Sequence, residues 1–208
     1  MTNNFTLYKQ FITEKFNNTE LQEGDAYFVV ELMRRGKDNP DMPAANYHFK
    51  NYYIRKPDDL DKYGDEIRTL CEVMRLRAYA SVNIKSFKQV SLDTMAELAR
   101  RIANSDYKKN YAVFESCSGQ YCHSGDKQWV VDCDDCQIGD PFVTCIEDYI
   151  NDCEPFSFNK IIARIPTRSG VHLITKPFNR KQFSNKCKIH TEIPDIKKNH
   201  LTLLYEHL

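Results

Sequence analysis

The chain has 208 residues and a mass of 24.4 kDa, with 41% hydrophobic and 12% aromatic residues. This composition excludes an intrinsically disordered chain and is sufficient for one substantial core. The 29 basic and 29 acidic residues cancel. The N-terminal segment lacks the apolar core of a secretory signal, and no run approaches the roughly 20 apolar residues of a membrane span, so we expect a cytoplasmic protein with no membrane partner.

The first third of the chain predicts two strands followed by a helix. Residues 26–34 and 47–55 are rich in β-branched and aromatic residues and are separated by a loop with two prolines. From residue 56 to residue 75 the apolar residues recur at steps of three and four, which predicts an amphipathic helix with Asp58 or Asp59 as its N-cap. Its apolar positions are Leu60, Tyr63, Ile67, Leu70, Cys71 and Met74.

The next segment predicts a strand and a second helix. Residues 76–87 read as the strand, and residues 91–105 as the helix, with Ser91 as its cap. The predicted apolar face of this helix consists of Leu92, Met95, Leu98, Ala99 and Ile102.

The second half of the chain predicts mainly strands. Segments 111–116 and 127–134 read as strands around a turn-rich insert, residues 142–152 as a short helix, and residues 159–178 as a hairpin. The tail offers one or two further strands. Because these elements lack a regular βαβ cadence, we predict one α+β domain over residues 1–208, with a mixed or antiparallel sheet and helices packed on it. Residues 1–109 form its N-terminal α/β part, and residues 110–208 carry the candidate motifs.

Eight cysteines have irregular spacing, and a cytoplasmic protein keeps them as thiols. Cys133 and Cys136 form a C-x-x-C pair, and Cys117, Cys122 and His123 precede it. A structural zinc site is one interpretation of this cluster. The alternative is that Cys133, within a strand, points inward and packs in the core.

Charge is segregated along the chain. Residues 132–154 contain eight acids and no Lys or Arg, whereas residues 155–191 contain eight Lys or Arg and no acid. The first block suits a divalent cation and the second suits a polyanion. Two surface faces of opposite sign would produce the same pattern.

A first candidate motif lies in the sequence QWVVDCDDCQIGD, residues 128–140. On an extended strand Asp132 and Asp134 project to one face, and Cys133 to the other. Two neighbouring carboxylates repel each other unless a cation lies between them or one is protonated. The pair is therefore a candidate cradle for Mg²⁺ or Mn²⁺, whereas Asp135 and Asp140 read as solvated turn residues.

A second candidate motif is IPTRSGVHLI, residues 165–174. Ser169 and Gly170 form a polar elbow whose hydroxyl and backbone N–H groups suit an oxyanion, because glycine permits close approach. His172 points away from the face of its two apolar neighbours. Nearby basic residues that add positive charge are Arg164, Arg168 and Lys176. An ordinary hairpin turn with a partly buried histidine explains the same residues.

These two motifs, followed by Asp195, resemble the archaeo-eukaryotic primase superfamily in order and spacing. That family has a hydrophobic strand ending in two acids, matched by WVVDCD, then a serine and histidine at a strand, matched by Ser169 and His172. Its third motif is an acid after an apolar residue. Asp195 is our candidate and Glu192 the alternative, and Pro194 departs from the usual pattern.

The resemblance implies a primase-polymerase fold with an RRM-like sheet and a nucleotidyltransferase activity. Asp132, Asp134 and Asp195 would hold two Mg²⁺ or Mn²⁺ ions. The residues implied to hold the incoming NTP or dNTP are Ser169, Gly170, His172, Arg168 and Lys176. Single-stranded DNA would be the template, and a separate helicase the partner, in replication of a phage, plasmid or mobile element.

Further contacts with template or nucleotide are conceivable along the predicted strands. Stacking partners for bases would be Tyr52, Tyr53 or Tyr79, and polar contacts would come from Arg77, Asn83 and Lys85. Core packing and a solvated strand face are the competing explanations.

Three other functions stay open on the sequence. One is an inactive, nucleic-acid-binding replication accessory of the same fold. Another is a D-x-D glycosyltransferase that uses Mn²⁺ on a nucleotide sugar, although such enzymes usually have a larger nucleotide-binding domain before the motif. The third is a zinc-binding interaction module built on the cysteine cluster.

Overall fold

The computed structural model describes residues 2–41, 46–121, 127–156, 159–188 and 193–207. The helices are α1 Phe5–Asn18, α2 Asp59–Met74, α3 Phe87–Ala103, α4 Val113–Gln120, α5 Pro141–Asn151 and α6 Arg180–Cys187. The strands are β1 Thr2–Asn3, β2 Ala26–Arg34, β3 Tyr47–Ile54, β4 Arg77–Ser81, β5 Lys85–Ser86, β6 Trp129–Asp134, β7 Ile161–Pro166, β8 Gly170–Thr175, β9 Asp195–Lys197 and β10 Leu201–Glu206.

The strands form two sheets instead of the single expected one. The first sheet has the order β1-β10-β4-β2-β3, with β5 paired to β2 at the side. The second sheet has the order β7-β8-β6-β9. Every strand pair among the described residues is antiparallel. The predicted α+β class is therefore confirmed, and the sheets are antiparallel.

One face of the first sheet packs on α1 and α2, and the two sheets share this core. Phe28, Val30 and Leu32 lie in it, as do Val130 and Ile174 of the second sheet. The other face of the second sheet packs on α5 and α6 in a separate cluster. Because the first core includes residues of both sheets, it fixes how they lie relative to each other.

Helix α2 is amphipathic as predicted, but α3 is not buried along its predicted face. Leu92, Met95 and Ile102 of α3 are all exposed. The helix starts at Phe87, not after Ser91, because the Ser86 side chain accepts a hydrogen bond from the Gln89 N–H and caps it. Phe87 and Val90, in the first turn of α3, pack with Tyr27 and Val29 of the first sheet.

The predicted strand over residues 111–116 is wrong, because Val113 begins helix α4. Phe114 and Ser118 are four residues apart, so they lie on the same side of α4, which faces the first sheet. The Phe114 ring lies 6.0 Å from the Tyr53 ring, and the Ser118 and Tyr27 hydroxyl oxygens are 2.9 Å apart. The aromatic residues that suggested a strand therefore belong to a helix, from which they pack against the first sheet.

Candidate functional site

Strand β6 brings the three predicted motifs together. Asp132 lies directly opposite His172 of β8 on one side and opposite Asp195 of β9 on the other. Positions directly opposite each other in an antiparallel sheet project to the same face. The register therefore places three positions that are far apart in sequence side by side at the centre of the second sheet.

The face of the second sheet that carries Asp132 is polar at one end and apolar at the other. Val130 and Ile174 lie on the same face as Asp132, and both are buried in the core shared by the two sheets. On the opposite face, Val131 and Cys133 pack against α5 and α6. Cys133 is fully buried, in agreement with the prediction that it packs inward. The acidic end therefore faces a gap between the sheets.

Both carboxylate oxygens of Asp132 have cationic or hydrogen-bonding partners. His172 Nε2 lies 3.2 Å from Oδ1, and Lys197 Nζ donates to Oδ2 at 2.6 Å. The hydrogen bond with His172, and then that from Lys197, hold the pKa of Asp132 well below its ordinary value, although partial burial opposes this shift. Asp132 is therefore an ionised carboxylate at neutral pH.

His172 is held from both sides of its ring. Nδ1 lies 3.0 Å from the Thr202 hydroxyl oxygen, and Nε2 faces Asp132. Thr202 of β10 is fully buried and His172 nearly so. Two polar contacts at opposite ring nitrogens leave the imidazole with a single orientation. Thr202 thus connects the first sheet to the motif on the second.

A cleft of about 490 Å³ opens between the polar ends of the two sheets. The second sheet contributes Asp132, Asp134 and His172 to its lining, and the first contributes Arg35, Arg77 and Tyr79. The carboxylates thus face arginines across the gap. A larger groove, of about 570 Å³, lies between α1 and α2 and contains none of the motif residues.

Arg77 is the centre of an ion cluster at one end of the cleft. One of its terminal nitrogens lies 2.7 Å from Asp38 Oδ1 and 2.9 Å from Glu206 Oε1. Arg168, from the elbow before β8, is 3.5 Å from the same Glu206 oxygen. Arg77 is buried, whereas the Arg168 side chain is 55% exposed and lines the cleft. The cluster joins the elbow to the first sheet.

The predicted nucleotide-binding residues divide into those that line this cleft and those that do not. Ser169, Arg168 and His172 line it. Gly170 is buried opposite Asp134, and a Cβ atom there would lie 2.1 Å from the Cys133 carbonyl oxygen. The small size of Gly170 therefore allows close packing of β8 on β6, which is a different role from the predicted oxyanion contact.

Two basic residues of the second motif lie elsewhere. Lys176 follows the far end of β8, where Thr175 pairs with Trp129, about 13 Å along the strand from His172. Arg164 binds both carboxylate oxygens of Glu147 in α5, on the other face of the sheet. Neither lines the cleft, so their predicted contribution to the site is not supported by the geometry.

The three predicted metal ligands differ in placement. Asp132 and Asp134 line the cleft, whereas Asp195 is exposed on edge strand β9 and lines a neighbouring groove beside α6. Among the described residues, no group of three His, Cys, Asp or Glu side chains is arranged to hold a metal ion. Glu192, the alternative third acid, lies outside the described residues.

The cleft itself contains two carboxylates, those of Asp132 and Asp134, which are donors of the type that divalent cations prefer. Carboxylate oxygens are the preferred ligands of Mg²⁺ and Mn²⁺. The ammonium group of Lys197, 2.6 Å from Asp132 Oδ2, already places a positive charge on this carboxylate. Of the other two predicted ligands, Asp134 shares the cleft with Asp132, whereas Asp195 lines the neighbouring groove.

Other candidates from the sequence have structural roles. Asn83 pairs with the Gln128 backbone, and Lys85 Nζ donates to the Ser118 carbonyl at 2.6 Å. Tyr52 is buried in the first core, and Tyr53 packs with Phe87 and Phe114. Of the predicted contact residues on the first sheet, Arg77 and Tyr79 line the cleft.

Two ion pairs join the acidic block to the basic block. Besides the bond between Arg164 and Glu147, Lys186 pairs with Asp152 at 3.3 Å. Lys160 is fully buried and donates to the Asn151 carbonyl. These three basic residues therefore contact α5 or the residue that follows it.

The described cysteines do not form a metal cluster. Cys136 donates a hydrogen bond to the Cys133 carbonyl, and burial raises the pKa of both thiols. Cys117 is half-buried beside the first sheet. Cys122 and His123, the other members of the suspected zinc site, lie outside the described residues.

Sequence reasoning did not assign a role to Lys197 and Arg35, which line the cleft, or to Thr202, which contacts His172. Lys197 lies two positions after Asp195, so strand periodicity alone places it on the same face. Arg35 follows β2 and lies 3.3 Å from the Tyr79 hydroxyl. Thr202 carries no sequence signal, because its contact with His172 depends on how the two sheets meet.

Within the described ranges, no helix combines the length and the apolar character needed to cross a membrane. Comparison with family models, with curated proteins and with solved structures found no match to this chain.

Proposed function

We propose that the chain is a template-dependent nucleotidyltransferase of the primase-polymerase kind. It would extend or start chains on single-stranded DNA from NTPs or dNTPs, in replication of a phage, plasmid or mobile element. The observation that carries the proposal is the register of the second sheet, where Asp132 lies between His172 and Asp195. A chance occurrence of three short motifs would not require them to lie on adjacent strands.

The charge distribution of the cleft supports a polyanionic substrate beside a cation. Arg35, Arg77 and Arg168 line the cleft together with Asp132 and Asp134. Guanidinium groups bind phosphate oxygens through paired hydrogen bonds. A nucleotide triphosphate or a template backbone therefore has positive partners in the same cleft as the acids.

Asp132, Asp134 and Asp195 would hold the divalent cations. Such ions, when bound, lower the pKa of an attacking hydroxyl and stabilise charge on the transferring and leaving phosphates. The protein's own residues orient the substrate. His172, whose ring is held by Thr202, faces the cleft beside Asp132, and Ser169 adds a hydroxyl at the elbow.

A second candidate is the non-catalytic accessory that binds single-stranded nucleic acid. It is favoured by one observation: both oxygens of Asp132 are engaged by side chains of the protein itself. In that case the arginines would bind the nucleic-acid backbone and the acids would serve packing.

The test offers the protein a single-stranded DNA template with Mn²⁺ and either dNTPs or NTPs. We expect metal-dependent extension or dinucleotide synthesis by the wild type and its loss in the Asp132→Ala/Asp134→Ala variant. Asp135→Asn is the matched control, because Asp135 is an exposed acid beside the motif and Asn tolerates its left-handed backbone, φ 52°.

Absence of product from both nucleotide pools would contradict the catalytic proposal. Binding of the single strand under the same conditions, measured by fluorescence anisotropy, would then support the accessory function. Loss of activity in the Asp135→Asn control would indicate general damage to the fold instead of removal of the site.

A further inference from the structure

We propose that two copies of this chain associate through α3, with the two helices antiparallel about a twofold axis. The inference is independent of the chemistry proposed for the cleft, because none of the residues of α3, all of which the structure describes, lines the cleft. It assigns a partner to the apolar face that α3 leaves exposed.

This exposed face has the residue spacing of a helix–helix interface. Its apolar residues recur at steps of three, four and three, as the a and d positions of a heptad do: Leu92, Met95, Ala99 and Ile102. Leu92 is 50% exposed, Met95 67% and Ile102 57%. Large apolar side chains in line on one exposed face mark an interaction site.

The protein's own packing uses the opposite side of α3. Val90 is fully buried, and Thr94 and Arg101 are half-buried. At about 100° per residue, these three positions lie on the side of the helix away from Leu92 and Ala99. Folding of one chain therefore leaves the apolar face of α3 uncovered.

The apolar residues are self-complementary when a second α3 runs in the opposite direction. A twofold axis level with position 97 places Leu92 of one copy opposite Ile102 of the other, and Met95 opposite Ala99. Large side chains then meet at both ends and interdigitate with small ones at the centre. Ala96 is also exposed and lies beside this face, where its small side chain permits close approach of the two helices.

The charges beside this face favour the antiparallel direction. Asp93 and Arg100 are seven residues apart, so they lie on the same side of α3. An antiparallel pair brings Asp93 of each copy beside Arg100 of the other, whereas a parallel pair would bring like charges together. The Arg100 side chain is 62% exposed, so it can contact the other copy while it binds Glu97 of its own helix. Lys88 and Asp106, both exposed, meet in the same way at the two ends.

The length of α3 limits the strength of this dimer. Its 17 residues span about 25 Å. One pair of such helices buries less than the roughly 1,600 Å² of a standard stable interface. We therefore expect a dissociation constant of about 1–100 µM.

Sedimentation-velocity centrifugation of the full chain, from about 1 µM to about 500 µM, measures this association. We expect the wild type to shift from monomer to dimer as its concentration rises. Met95→Lys should raise the dissociation constant about tenfold or more, because two ammonium groups would enter the apolar interface. Val73→Lys is the matched control, since Val73 is 73% exposed on α2, and it should dimerise as the wild type does. Thermal unfolding checks that both variants are folded.

Charge reversal tests the direction of the pairing. Asp93→Arg and Arg100→Asp should each weaken the dimer about three- to tenfold, because like charges then meet across the interface. The two changes in one chain restore opposite charges and should restore the wild-type dissociation constant.

A wild type that stays monomeric at the highest concentration overturns the proposal and leaves the exposed face of α3 to a different protein. Equal dissociation constants for Met95→Lys and the wild type also overturn it, because the copies would then meet elsewhere. Equal weakening by Met95→Lys and Val73→Lys does the same, since net charge would explain it. No recovery in the double charge variant overturns the antiparallel direction.

Discussion

Each sheet carries an ion cluster beside the cleft, and the central charges of the two clusters have opposite signs. On the first sheet, the Arg77 guanidinium lies between two carboxylates, those of Asp38 and Glu206. On the second, the Asp132 carboxylate lies between the imidazole of His172 and the ammonium group of Lys197. One cluster has a buried cation at its centre and the other a largely buried anion.

The clusters differ in how readily their partners can be exchanged. Asp38 Oδ2, Arg77 Nε and Glu206 Oε2 are buried and have no hydrogen-bond partner among the described residues. Charges in such surroundings depend on one another, because removal of one leaves the others unpaired and desolvated. The Lys197 side chain, by contrast, is 30% exposed. The first cluster is therefore the more deeply buried of the two, and the second has a partner in contact with solvent.

Removal of the Arg77 charge should have the largest effect on stability. Arg77→Met leaves the half-buried Asp38 and the buried Glu206 carboxylates with only the exposed Arg168 as a neighbouring cation. Loss of one partner of a buried ion pair costs about 3–5 kcal/mol. The measurement is the free energy of unfolding in urea.

Arg75→Met is the matched control for this prediction. The Arg75 pair with Asp41 is exposed on both sides, so its loss should cost less than about 1 kcal/mol. Equal effects of the two variants would show that the Arg77 cluster is not a structural support.

Replacement of Gly170 tests how the elbow before β8 fits against β6. A Cβ atom at this position would lie 2.1 Å from the Cys133 carbonyl oxygen, which belongs to the backbone and cannot rotate away. Gly170→Ala should therefore destabilise the fold by about 1–3 kcal/mol through overpacking. Chemical denaturation measures the change.

Gly119 offers the comparison, because nothing lies within 4 Å of the Cβ position in this helical residue. Gly119→Ala should stabilise the protein by about 0.5–1 kcal/mol, as alanine favours a helix over glycine. The prediction for Gly170 fails if both glycines tolerate alanine equally.

The smallest of the predicted effects on stability is the loss of the Asp132 ion pairs at low pH. The pKa of Asp132 is lowered in the folded state, so the folded state binds this proton less readily than the unfolded state does. Its stabilisation is therefore complete above the ordinary aspartate pKa of about 4 and is lost as the pH falls below that value. The difference in unfolding free energy between the wild type and Asp132→Asn should shrink between pH 7 and pH 3.

Asp134→Asn serves as the control for this measurement, since Asp134 is exposed on the same strand face. Its difference from the wild type should change less over the same range. A pH-independent difference for Asp132→Asn would contradict the assigned ion pairs.

Local patterns were sufficient for most elements but not for their burial. Helices α2 and α3 have similar apolar spacing, yet Ile67 is buried and Met95 is exposed. Periodicity defines a face, but whether that face meets a partner depends on elements distant in the chain. The same limit explains α4, where aromatic residues that suit a strand pack from a helix onto Tyr53.

The candidate site divides in the same way. Alternation along β6 was enough to place Asp132 and Asp134 on one face and Cys133 on the other. Only the sheet register brought His172 and Asp195 beside Asp132, and only the packing of the two sheets added Arg77 and Thr202. Strand periodicity is a local property of the backbone, whereas register and sheet packing depend on hydrogen bonds and apolar contacts between residues far apart in sequence.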